Sequence, residues 1–113
     1  MAICLNRGGD LFQHLKAKKR FDEHTAKFYA AEIVLALEYL HNMDIVYRDL
    51  KPENVLMNED GHICLTDFGT SKILKEGEKT YSLVGTPEYC APEMLEKIAY
   101  SMSVDWWSLG IFM

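Results

Sequence analysis

Apolar residues recur at helical spacing over two stretches of the chain. Gly8-Gly9 breaks the backbone, Asp10 can cap a helix, and Leu11, Phe12 and Leu15 share one face of that short helix. A longer helix begins after Asp22, a second N-cap candidate. Along it Ala26, Tyr29, Ala30, Ile33, Leu37 and Leu40 recur in steps of three or four residues up to His41-Asn42. Its other face carries Phe28, Val34 and Leu35, so the spacing predicts a central helix buried over more than one stripe. His41 at its end reads as a donor or cation at a helix C-terminus rather than as a catalytic group.

Beyond this helix the period changes. Val55-Leu56-Met57 and Ile63-Cys64-Leu65 are short apolar runs around the polar, glycine-containing turn Asn58-Glu59-Asp60-Gly61, a hairpin signal. From Thr70 to Val84 the chain is mostly polar and without clear period, as functional or mobile segments are. Asp105 to Met113 opens an apolar helix in which Trp106 and Trp107 read as core residues. The pattern predicts a mainly α chain with a small β-hairpin.

The chemistry lies between the long helix and the hairpin. Tyr47-Arg48-Asp49-Leu50-Lys51-Pro52-Glu53-Asn54 is followed, thirteen positions after Asn54, by Asp67-Phe68-Gly69. These are the parts of a phosphoryl-transfer site: a carboxylate to accept a hydroxyl proton, a cation for the moving phosphoryl group, and two oxygen ligands for magnesium. A hairpin brings its ends together, so Asn54 and Asp67 are expected side by side, as donors to one hard cation must be. Taken alone, these residues read more simply as a plain surface hairpin with polar ends. Joined to Arg48-Asp49 and Phe68-Gly69, they read as a metal site.

The order and spacing resemble the catalytic and metal loops of protein kinases, and Ala91-Pro92-Glu93 resembles the end of the kinase activation segment. Gly8-Gly9-Asp10-Leu11-Phe12, the Tyr of Tyr47-Arg48-Asp49, Gly85-Thr86-Pro87-Glu88-Tyr89 and Asp105-Trp106-Trp107 narrow the resemblance. Together they resemble the AGC group of Ser/Thr kinases, near its Akt-, S6-kinase- and SGK-like members. The implied fold is a partial kinase C-lobe (α+β) with the N-lobe absent. Residues 1–113 would hold the lobe linker, helices D and E, the catalytic loop, the metal loop, the activation segment and the start of helix F.

The resemblance also implies roles. Asp49 would be the catalytic base and Lys51 the cation on the transferred phosphoryl, with Lys51 pointing to serine and threonine acceptors. Asn54 and Asp67 would hold Mg2+, and the Thr86 hydroxyl would tie its loop to Asp49 and Lys51. ATP would meet Cys4 and Asn6 in the lobe linker, Leu56 beneath the adenine, and Thr66. Asp10 and Glu53 would stand near the ribose and near a basic residue preceding the acceptor in protein substrates. Arg48 and Lys72 would grip a phosphate placed on Ser82 by an upstream activating kinase; without it Arg48 is expected to lack a partner. Tyr47 and Phe68 would pack, and Asp105 would accept hydrogen bonds from the catalytic-loop backbone. The family's glycine-rich loop and its strand Lys are not among the 113 residues, so alone they are expected to transfer phosphate poorly. The alternative is a truncated, non-catalytic kinase-like binding module.

Composition adds exclusions. Seventeen acidic against twelve basic residues, a net charge of −5, give no reason to expect nucleic-acid or anionic-membrane partners. Lys16, Lys18, Lys19 and Arg20 read as a solvated helix end. Cys4, Cys64 and Cys90 are odd in number and lack metal-ligand spacing, which favours free thiols in a reducing compartment. With no membrane-length apolar run and no signal pattern, a cytoplasmic location is expected, or a nuclear one.

Overall fold

The computed structural model describes residues 9–18, 21–58, 60–75 and 77–112. Two capped helices open the chain. Asp10 accepts from the backbone N–H of Gln13 at 2.8 Å and starts α1 (Leu11–Lys18). Asp22, extended at φ −69° and ψ 167°, accepts from Thr25 N–H at 2.7 Å and starts the 20-residue α2 (Glu23–Asn42). Each cap satisfies one of the orphan N–H groups of a first helical turn. At the far end Met43 and Asp44 N–H close onto Leu40 and His41 carbonyls, both at 3.0 Å, and Asp44 at φ 63° turns the chain back.

That reversal sets β1 (Ile45–Val46) beneath α2. The next strands, β2 (Val55–Met57) and β3 (Ile63–Leu65), form the expected antiparallel hairpin with Val55 opposite Leu65 and Met57 opposite Ile63. Gly61, at φ 86°, supplies the left-handed turn residue. The polar stretch after residue 70 is more structured than its lack of period suggests. Lys72–Ile73 forms β4, antiparallel to β1, and Thr80 bridges to Tyr100. These pairs are made by main-chain groups, which leave no periodic trace in side-chain polarity. Two helices complete the order, the one-turn α3 (Pro92–Leu95) and α4 (Ser103–Phe112).

Two apolar clusters flank the segment between β1 and the hairpin. Tyr47 and Leu50 join Leu11, Ile33, Leu37 and Leu109 in one, while Val46 joins Leu74, Met94, Tyr100 and Val104 in the other. Val46, the last residue of β1, and Tyr47, the first of the segment, therefore anchor in opposite cores.

Two burial expectations fail. Ile33, Leu37 and Leu40 form the single buried stripe of α2, whereas Phe28 and Val34 are exposed and Leu35 is 64% exposed. Among the described residues no second layer covers that face. In α4 the buried residues are Val104, Asp105, Ser108 and Leu109, leaving Trp106 and Trp107 on the other flank at 41% and 46% exposure. The free-thiol expectation holds for the buried Cys90 but not for Cys64, which is disulfide-bonded; an odd cysteine count does not forbid one bond. No helix among the described residues is long and apolar enough to cross a membrane.

Candidate active site

The site is built on a buried carboxyl group. Asp105, in the first turn of α4 and 0% exposed, accepts from Tyr47 N–H and Arg48 N–H, each at 2.8 Å. His41 Nε2 lies 2.7 Å from the same carboxyl, so the end of α2 is tied to the start of α4. Arg48 is left-handed at φ 73°, a conformation that costs a non-glycine residue of order 1–3 kcal/mol and persists only when its surroundings hold it. The two bonds to Asp105 supply that hold.

Asp49, next in the chain, is buried and its two carboxyl oxygens have separate partners. Asn54 Nδ2 donates to Asp49 Oδ2 at 3.1 Å and to the Asp49 carbonyl at 2.8 Å. Thr86 Oγ1 donates to Asp49 Oδ1 at 3.3 Å and itself accepts from Lys51 Nζ at 2.8 Å. Lys51 Nζ also lies 3.9 Å from Asp49 Oδ1. Four residues named from the sequence, Asp49, Lys51, Asn54 and Thr86, thus share one network.

Thr86 reaches Asp49 because Gly85 lets two backbones touch. At φ 85°, a Cβ on Gly85 would stand 2.5 Å from the Arg48 carbonyl oxygen, closer than any side chain tolerates. Sequence reasoning passed over this glycine except as part of a motif.

The hairpin brings the second half of the site into place. Thr66 N–H donates to the Asn54 carbonyl at 3.0 Å, extending the ladder one step beyond Val55–Leu65, so Asp67 comes directly after the residue facing Asn54. Asp67 is left-handed at φ 59°, and its exposed carboxyl accepts from Gly69 N–H at 3.4 Å. Tyr47 stands behind it: the phenol donates to the Thr66 carbonyl and the ring meets Phe68 edge-on at 5.5 Å. Burial, with the charges of Asp49, Asp67 and Asp105 adding to it, pushes the Tyr47 phenol far above its ordinary value, so it stays a donor.

With Nδ2 of Asn54 committed to Asp49, the remaining polar atom of that side chain is an oxygen. Asn54 and Asp67 therefore present the hard donors that magnesium takes. Among the described residues no group of three or more His, Cys, Asp or Glu could hold a metal. Magnesium fits such a partial set, since it is bound through one or two protein ligands with phosphate and water oxygens completing the shell.

The other named residues divide. Cys4 and Asn6 lie outside the described residues. Asp10 bridges to Leu56, and Met57 N–H donates to the Gly9 carbonyl at 3.0 Å, so the start of α1 is held against the hairpin. Glu53 is exposed in the 3-10 turn Pro52–Asn54, and its charge, with that of Glu88, adds to burial in raising the Tyr89 phenol.

Ser82 is exposed, and Arg48 and Lys72 reach it through intermediaries. Lys72 Nζ donates to Thr80 Oγ1 at 3.2 Å, and Thr80 Oγ1 to Ser82 Oγ at 3.4 Å. The expectation that Arg48 lacks a partner is wrong: Nε donates to the Thr70 carbonyl at 2.6 Å and Nη1 to the Tyr100 hydroxyl at 3.3 Å. A guanidinium presents five donors, and neutral oxygens brought close by the fold occupy two of them. Nothing in the sequence around Tyr100 signals this.

Comparison with known proteins agrees with the geometry. The protein kinase domain model matches residues 1–113, so the chain belongs to the protein kinase domain family. Protein kinase 2 of Dictyostelium discoideum is 56% identical over 97% of the chain and 23% of its own length. The cAMP-dependent protein kinase type 3 of Saccharomyces cerevisiae is 55% identical over 98% of the chain and 27% of its own. Serine/threonine-protein kinase akt-2 of Caenorhabditis elegans is 55% identical over 94% and 20%. Within the family the chain falls in the AGC group, and its fold is that of a partial kinase domain. It spans roughly a quarter of the length of these relatives.

Proposed function

We propose that these residues are the phosphoryl-transfer part of an ATP-dependent protein serine/threonine kinase. The observation that carries the reading is the Asp49 carboxyl group, buried and oriented by Asn54 on one oxygen and Thr86 on the other, with Lys51 on the same hydroxyl. Asp49 accepts the proton of a serine or threonine hydroxyl as the new O–P bond forms and the bond to the departing ADP oxygen breaks. Lys51 stands where it offsets negative charge on the transferred group. Asn54 and Asp67 would hold magnesium, which when bound neutralises phosphate charge. Cys4, Asn6, Asp10, Leu56 and Thr66 are the proposed nucleotide contacts.

Asp10 and Glu53 are proposed to add acid near the bound peptide, which would favour arginine before the acceptor. Ser82 is proposed as a phosphosite for an upstream kinase, with Arg48 and Lys72 as its cations. The 113 residues are proposed to run from the lobe linker through helices D and E, the two loops and the activation segment into helix F. Without a glycine-rich loop or strand Lys among them, they should transfer phosphate poorly alone.

The test uses a kinase domain of the relatives' length that carries these residues. Asp49→Ala should lower phosphoryl transfer by about 10³-fold or more while leaving ATP affinity within about threefold, because the carboxyl acts on the acceptor hydroxyl. Asp67→Ala should abolish the magnesium dependence of ATP binding. Equal loss of ATP affinity in both variants would refute the division of roles.

A further inference from the structure

Tyr100 places one hydroxyl at the edge of an apolar cluster. Its ring is buried among Val46, Leu74, Met94 and Val104, and its oxygen emerges beside Arg48. That oxygen accepts from Arg48 Nη1 at 3.3 Å and donates to the Ser82 carbonyl. The Tyr100 backbone adds two bonds, since Thr80 N–H and Tyr100 N–H each donate to the other's carbonyl at 3.0 Å. Residue 100 thus grips the stretch from Thr80 to Ser82 at three points and Arg48 at a fourth. None of these contacts uses the Ser82 hydroxyl, so the phosphosite reading does not account for them.

The grip has a consequence for the three hydroxyls in this stretch. Thr80 is buried, with Oγ1 accepting from Lys72 Nζ at 3.2 Å and from Ser82 N–H at 3.4 Å, whereas Tyr81 and Ser82 are exposed. We propose that Tyr100 is a positioning residue whose hydroxyl docks residues 80–82 over Arg48 while Ser82 carries no phosphate, turning the Ser82 side chain outward. The docking role stands on contacts already present; its bearing on regulation rests on the proposed role of Ser82. A phosphate on Ser82 would have to swing in from the exposed side to meet Arg48, exchanging the guanidinium's neutral phenol for a charge-assisted partner while the backbone of the segment is already held.

Hydrogen exchange of the 113-residue chain tests this, together with the NMR signals of the Arg48 guanidinium, in wild type, Tyr100→Phe and Ser82→Ala. Phenylalanine keeps the buried ring and removes the oxygen. Tyr100→Phe should raise exchange across residues 80–84 about tenfold, the equivalent of one or two lost hydrogen bonds, leave α2 unchanged and shift the Arg48 signals. Ser82→Ala keeps the carbonyl that Tyr100 grips, loses only the long 3.4 Å contact from Thr80 Oγ1, and should leave the Arg48 signals in place and exchange at 80–84 within about twofold of wild type. Exchange at 80–84 within about twofold of wild type in Tyr100→Phe would overturn the proposal. So would an equal rise in α2, which marks a general loss of stability, or an equal effect of Ser82→Ala. A chain phosphorylated on Ser82 separates the two readings: unmoved Arg48 signals there would retire the phosphosite while the Tyr100→Phe result still supported the docking role.

Discussion

Asp105 is the residue whose loss should be felt most, and its cost can be worked out from the geometry. Asp105→Ala removes the acceptors of the buried Tyr47 and Arg48 N–H groups and the partner of the part-buried His41. Each buried N–H left unsatisfied costs about 1–3 kcal/mol, so the substitution should destabilise the chain by about 3–5 kcal/mol. Part is recovered because Arg48 is then free to leave its left-handed conformation. That relaxation carries Asp49 with it, so the geometry around its carboxyl group should fail before the fold does. Asp105→Asn keeps one acceptor oxygen and should cost about half as much. Denaturant unfolding followed by far-UV circular dichroism gives the numbers directly. Against a typical total of about 5–15 kcal/mol, such a loss is plain to see. Asp105→Ala within about 1 kcal/mol of wild type would show that water or another group takes over its bonds, and that the carboxyl does not hold the loop.

Gly85→Ala should be worse than Gly61→Ala. Both glycines have φ near +85°, but a Cβ meets the Arg48 carbonyl oxygen at 2.5 Å at residue 85 and nothing within 4 Å at residue 61. Gly61→Ala should cost about 1 kcal/mol and Gly85→Ala at least twice that, and equal unfolding midpoints would refute the proposed close approach. His62 should titrate above its ordinary value near 6.5, chiefly because it hydrogen-bonds Glu32 at 3.0 Å, with the charges of Glu32 and Asp60 adding. The protonated ring is the favoured form in the folded chain. Its stabilising contribution is therefore complete below the unfolded value near 6.5 and is lost as pH rises through the higher folded value. Proton NMR of the ring in Glu32→Gln should show the midpoint falling; an unchanged midpoint would refute the pairing.

Much of the site was legible because its parts are local. Asp49, Lys51 and Asn54 lie within one short run, and the hairpin period from Val55 to Leu65 carries Asp67 back toward Asn54. Helix caps at Asp10 and Asp22 were equally readable, since a cap needs only the right side chain three residues before an N–H. Burial was less readable. Periodicity gives the apolar faces of a helix but not how many find a partner, so Leu35 and both tryptophans read as core and stand exposed.

Contacts between distant segments were decided by tertiary structure alone. The resemblance led to the Thr86 and Asp105 contacts with the catalytic loop, but no spacing shows that Gly85 must lie against the Arg48 carbonyl for Thr86 to reach Asp49. Nor does any spacing join His41 to Asp105, 64 residues away, or Arg48 to Tyr100, 52 residues away. Such pairs form because two apolar cores hold the neighbours Val46 and Tyr47 in opposite directions and fix which polar atoms remain between them. Sequence by itself determined which chemical groups the site contains. Packing decided how they are aimed, because the direction of a hydrogen bond depends on where the rest of the chain holds its two ends.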